Sequence, residues 1–268
     1  MMIIQKRIAS ILAVALTLAV GGCAGESDSN PTPTPSPTPP AAAADSAEGL
    51  WPGSTDTHRT IVGAVLDDNS YYVLYSAPAT PNVIAGFVQG TGTSNNGTFN
   101  SPNAKDFNLE GFGVLVATIA GNYVTRQSLS GSVTYSGGVV GPNFTSTFDH
   151  AYDTTPGLPS LAGTYTGQLG ISSLGSPVPA ATVIVAANGT FAGADANGCM
   201  FTGTATPRIR GNVFDGSITF GAAPCGVFAG STLNGIVYLD VAVPPSGRLY
   251  IAAPTSTRTD GAVFSGTR

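Results

Sequence analysis

Charge is scarce in this chain. Ten Lys and Arg and fifteen Asp and Glu make up 9% of 268 residues, for a formal net charge of -5. No basic stripe gathers the cations, which argues against a nucleic-acid partner. Histidine is limited to His58 and His150, so an imidazole-built metal centre has little to draw on. The Glu, Lys and Leu that fill solvent-facing helices are few as well, which disfavours an α-helical body. Catalytic signatures are also missing: there is no G-x-S-x-G elbow and no H-E-x-x-H. The stretch "GTGTSNNG" carries Asn95 where a third dinucleotide-binding Gly would stand. Only three cysteines occur, Cys23, Cys199 and Cys225.

What is abundant points to strands and turns. There are 35 Gly and 20 Pro, with much Thr, Ser, Val and Ala, and 42% of residues are hydrophobic. That is enough apolar material for real cores, and it is unlike the high-charge composition of disordered chains. The expected fold class is all-β.

The N-terminus is organised differently from the rest. "MMIIQKR" supplies Lys6 and Arg7, and thirteen uncharged residues follow from Ile8 to Val20. A charged start and a short apolar run are the layout of an export signal, and the run falls short of the roughly 20 residues needed to span a bilayer. It ends in Val20-Gly21-Gly22-Cys23, which resembles the bacterial lipobox. The resemblance implies that residues 1–22 are removed and that Cys23 becomes a lipidated N-terminus. Several acyl chains hold a protein to a membrane where one does so only marginally. By the same resemblance, Ala24 directs the product to the outer membrane. Residues 23–47, with "PTPTPSPTPP" at 31–40, are then a lipidated cysteine followed by a linker. The alternating prolines favour extended polyproline II and a spacer of about 30 Å.

Beyond Glu48, short apolar runs alternate with Gly, Asn, Asp and Pro in the rhythm of antiparallel strands. Candidate strands include "TIVGAVL", "YYVLYSA", "FNLEGFGVLVATIAG", "YVTRQSLSGSVTYS", "ATVIVAA" and "RLYIAAP". On "YYVLYS", Tyr71, Val73 and Tyr75 share one face and Tyr72 and Leu74 the other. Gly49-Leu-Trp51-Pro-Gly53 and Gly163-Thr-Tyr165-Thr-Gly167 share a Gly-x-aromatic-x-Gly form 114 residues apart. Each precedes a similar hairpin, "LDDNSYY" and "VAANGTF". With "DTTPGLPS" as a boundary, this predicts two small antiparallel barrel-like or sandwich modules, at 48–155 and 156–268.

A Gly-x-Trp on a first strand resembles lipocalin-like barrels, in which the Trp plugs one end, and this favours barrels. The arrangement of "EGLWPG", "LDDNSYYVLYS" and "LAGTYTGQ" is similar to uncharacterised surface lipoproteins of Gram-negative bacteria. The closing "DGAVFSGTR" resembles the barrel ends of transferrin-binding-protein-like lipoproteins.

Export into an oxidising compartment makes a Cys199–Cys225 disulfide the expectation, since the alternative two-Cys metal site has no histidine nearby. No metal or other cofactor is expected. "DANGC" begins like a calcium loop at Asp195 but lacks its later ligands, and is expected to be a turn. His58 near Asp56 or Asp67 is a candidate base, with an exposed loop histidine as the alternative. Trp51, Tyr71, Tyr75 and Tyr165 are candidate ligand-lining residues, with core packing as the alternative. The expected function is non-enzymatic: an outer-membrane lipoprotein held by its lipid anchor that binds a small molecule or a protein partner, or is structural. The competing expectation is a hydrolase of envelope polymers using carboxylates such as Asp67, Asp68 or Glu110.

Overall fold

Residues 45–268 are described by the computed structural model; the signal segment, Cys23 and the proline-rich stretch to residue 44 lie outside them. The first half forms β1 (Gly49–Thr55), β2 (Thr60–Val65), β3 (Ser70–Ala77), β4 (Thr80–Thr91), β5 (Thr93–Asn95), β6 (Thr98–Asn108), β7 (Gly113–Val124), β8 (Ser128–Tyr135) and β9 (Val139–Thr147). They pair antiparallel in the order β4-β3-β2-β1-β9-β8-β7-β6, and β4 pairs with β6 to close an eight-stranded barrel. The short β5 extends one edge beside β6.

The second half forms β10 (Gly163–Ile171), β11 (Val178–Val185), β12 (Thr190–Ala194), β13 (Met200–Pro207), β14 (Phe214–Phe220), β15 (Thr232–Asp240), β16 (Arg248–Pro254) and β17 (Gly261–Thr267). These close as a simple up-and-down barrel, with β17 returning to β10. Closure leaves the eight strands of each ring paired on both sides, which suits a chain with few charges to guard an edge. Of the two architectures expected from the sequence, both halves are therefore barrels.

The repeated Gly-x-aromatic-x-Gly element explains how each barrel is shut. Trp51 Nε1 donates to the Ala47 carbonyl at 2.8 Å, and the Tyr165 hydroxyl donates to the Leu161 carbonyl at 2.9 Å. Each is a buried aromatic reaching four residues back to pin the segment that enters its barrel. The final Gly of each element is a close crossing. A Cβ on Gly53 would lie 2.1 Å from the Thr145 carbonyl of β9, and one on Gly167 would lie 1.9 Å from the Ser265 carbonyl of β17. Only glycine lets the first strand approach the last so tightly. The matching hairpins also correspond: Asn69 and Gly189 both take positive φ, at 65° and 83°.

Two segments read as single strands are in fact hairpins. "FNLEGFGVLVATIAG" turns at 109–112 between β6 and β7, where Gly111 has φ 94°. "YVTRQSLSGSVTYS" turns at Thr125–Gln127, with Arg126 at φ 58°.

Both barrels belong to one compact unit. Alternation along β2 and β3 sends Ile61, Val65, Tyr71 and Val73 inward, while Val62, Ala64, Tyr72 and Leu74 point outward and are largely buried as well. The outward set shares a core with Ile236, Tyr238, Tyr250, Ala252 and Val263 of the second barrel. Phe87 and Phe107 stack at 4.5 Å in this seam, against Gly261. Arginines of the second barrel reach across it: Arg248 to Asn82 at 2.6 Å, Arg258 to the Gln89 and Asn103 carbonyls, and Arg208 to Asp67 at 2.6 Å.

Candidate functional site: a cavity in the first barrel

The inward faces of the first barrel do not meet. They leave a cavity of about 120 Å³, lined from all eight strands of the closed ring by Trp51, Ile61, Val65, Val73, Phe99, Ile119, Leu129 and Phe144, among others. Its floor is the end holding Trp51. Residues 45–48 cross that end: Ala47 is fully buried and its N–H donates to Ser94 Oγ, while Asp45 accepts from the Tyr123 hydroxyl. Glu48, also buried, accepts from the Tyr152 hydroxyl at 3.0 Å and from Arg210 at 3.1 Å.

Toward the opposite end the lining turns polar. Asp106 on β6 is 2% exposed, and its two oxygens accept the hydroxyls of Tyr75 at 2.6 Å and Tyr135 at 2.8 Å. Asn108 donates from Nδ2 to the Tyr75 hydroxyl at 3.1 Å, while its Oδ1 accepts the Glu110 N–H and shapes the β6–β7 turn. Arg59 lies over the Tyr75 ring and makes a two-pronged pair with Glu110 at 2.8 and 3.0 Å, with a further bond to the Ser76 carbonyl. Burial penalises the charged form of Asp106 and pushes its carboxyl above the usual range. Burial likewise raises the Tyr75 and Tyr135 phenols, with the neighbouring Asp106 charge adding to it. Both phenols are therefore donors at neutral pH. The Tyr71 phenol, pushed up to about 12 by burial, exchanges a hydrogen bond with Ser101 at 2.9 Å.

The candidate ligand-lining residues from the sequence divide between the barrels. Trp51, Tyr71 and Tyr75 line this cavity, whereas Tyr165 is fully buried in the core of the second barrel. There it is packed among Leu161, Val183, Phe264 and their neighbours. The groups that give the cavity its polar end, Asp106, Asn108, Tyr135 and Arg59, were not singled out by the sequence.

Other candidate groups sit elsewhere. Cys199 and Cys225 form a disulfide in the second barrel. Asp195 accepts the N–H groups of Asn197 and Cys199, both at 2.9 Å, and so shapes a turn. His58 is exposed on the β1–β2 turn, and Asp56 bonds Asn143. Asp67 and Asp68 pair with Arg208 on the β2–β3 turn, at the floor end, whereas Glu110 lies at the other end of the barrel with Arg59. Among the described residues, no three His, Cys, Asp or Glu side chains gather as a metal site.

No protein-family model matches the chain, and no curated protein matches its sequence.

Proposed function

We propose that the protein is a non-enzymatic envelope lipoprotein, anchored to the outer membrane through Cys23, whose first barrel binds a small apolar ligand. The observation that carries the binding role is the cavity with Trp51 at its floor, apolar for most of its length and polar at one end. A hole in a barrel lined by side chains forfeits packing contacts, so an unfilled interior costs stability. Its apolar wall suits a ligand better than it suits water. The second barrel, whose core includes Phe191, Phe201, Phe214, Phe220 and Phe264, serves as a rigid partner to the first. The anchor is supported by the charged start, the short apolar run and the Val-Gly-Gly-Cys ending.

Two measurements test the proposal. Trp51 is the single tryptophan of the chain, so its emission reports the cavity directly. Titration with toluene should shift that emission saturably, and a response no different from that of free tryptophan would refute binding. Cys23→Ser should move the protein from the membrane to the soluble fraction; continued membrane association with attached acyl chains would refute the anchor.

A further inference from the structure

The polar end of the cavity has a chemistry of its own, and what it selects rests on the binding role proposed above. Among the described residues, Asp106 is the only acid that lines the cavity, and Arg59 is the only cation. Arg59 is already committed: both guanidinium prongs meet Glu110, and one also meets the Ser76 carbonyl. Arg59 still acts on Asp106 through its field but makes no hydrogen bond to it, so among the described residues the carboxylate has no directly paired cation. Its two bonds come from the neutral phenols of Tyr75 and Tyr135. Each carboxylate oxygen has a second lone pair, so the group retains acceptor capacity. The two phenols also fix its orientation, as part of a network that Asn108 extends.

Around this carboxylate the walls are aromatic and aliphatic, with Tyr75, Tyr135 and Phe144 among the rings that share the cavity. A buried anion beside aromatic faces is the chemistry that holds an organic cation. The carboxylate takes the N–H groups and the ring faces take the remaining positive field. An anionic ligand would meet repulsion from Asp106, and a neutral hydrocarbon would leave its charge uncompensated. Size narrows the choice further. A dry cavity of about 150 Å³ holds benzene, and this one is about 120 Å³. Drug-sized ligands need about 300 Å³ or more.

We propose that the cavity takes a small apolar amine of about one ring, its ammonium seated on Asp106 beside Tyr75 and Tyr135 and its hydrocarbon part extending toward Trp51. Glu110 supports this role indirectly: by holding Arg59, it keeps a competing cation off Asp106.

The test is a head-group series on the unaltered chain in phosphate buffer, read by Trp51 emission: benzylamine, benzyl alcohol, toluene and benzoate. Benzylamine should bind at least about tenfold more tightly than benzyl alcohol or toluene, and benzoate should be the weakest. Asp106→Asn should bring benzylamine, benzyl alcohol and toluene to within about twofold of one another. Tyr135→Phe, which keeps the carboxylate, should retain the preference for the amine, and it keeps the test decisive if the Asn variant folds poorly. Toluene or benzyl alcohol binding as tightly as benzylamine would overturn the amine inference and leave the apolar site standing. Failure of all four compounds to move Trp51 emission would overturn both.

Discussion

Gly63 offers the sharpest test of the cavity. It sits on β2 between Trp51 of β1 and Val73 of β3, and it lines the hollow with them. A Cβ added there meets the Trp51 carbonyl at 3.4 Å, Trp51 Cβ at 3.5 Å and Val73 Cγ2 at 3.6 Å. Those are ordinary contacts, so a side chain at 63 grows into open space. Gly63→Val should add about 1.5 kcal/mol from burying its methyl groups. A further increment of about 0.5 kcal/mol or more comes from replacing glycine in a strand. The total of about 2 kcal/mol corresponds to a rise in Tm of roughly 4–8 °C for a body of this size. Thermal melting followed by circular dichroism measures it. The same variant should weaken binding of one-ring ligands at least about tenfold, because the added methyl groups occupy their volume. Gly53→Ala is the control: its Cβ would lie 2.1 Å from a backbone oxygen of β9. It should destabilise by about 2 kcal/mol or more through forced separation of β1 from β9. If Gly63→Val lowers Tm, or leaves ligand binding intact, the cavity is not where the structure places it.

Three further outcomes are expected. Replacing Cys199 and Cys225 together by Ala opens a loop with a sequence separation of 26. It should cost about 3 kcal/mol in denaturant unfolding, and a loss below about 1 kcal/mol would show that the bridge constrains little. Tyr165→Phe strands the buried Leu161 carbonyl; a loss of about 1–2 kcal/mol is expected, and an unchanged Cm would refute the pinning role. Asp106 has its carboxyl raised above 3.8 by burial, so the native state holds its proton more firmly than the unfolded chain does. Its contribution is therefore complete below 3.8 and is lost as pH rises through the raised value. Melting curves across that range should show the wild type losing ground to Asp106→Asn with rising pH; a constant difference between them would contradict the assignment.

Strand content was legible because alternation and turn residues are short-range signals, while the disulfide was legible from the cysteine count and the expected oxidising compartment. Alternation in "YYVLYS" placed Tyr71, Val73 and Tyr75 together on one face, and that face lines the cavity. The polar end was hidden for a reason that lies in one strand. On β6, Phe99 and Ser101 face inward; a register shift between Ser101 and Ala104 then moves the inward phase to Ala104, Asp106 and Asn108. Strict alternation from Phe99 would have turned Phe107 inward and Asp106 away from the cavity. Pro102, which cannot donate to the ladder, lies within this irregularity; it marks an interruption of the strand but does not say which way the phase shifts. The pairing of Arg208 with Asp67 depends likewise on how two barrels meet, over 141 residues of separation.

The floor of the cavity is also where the described residues begin. Ala47, Trp51 and Ser94 are joined there by hydrogen bonds, and Asp45 is tied to Tyr123 and to the Asn96 N–H. Among the described residues, a pull on Asp45 is thus borne first by these few bonds, ahead of the strands of the barrel. Displacing them would remove the bonds that brace Trp51 at the floor of the cavity. Under the proposed binding role, a pull on residues 45–48 would therefore be felt first at Trp51, the floor of the cavity.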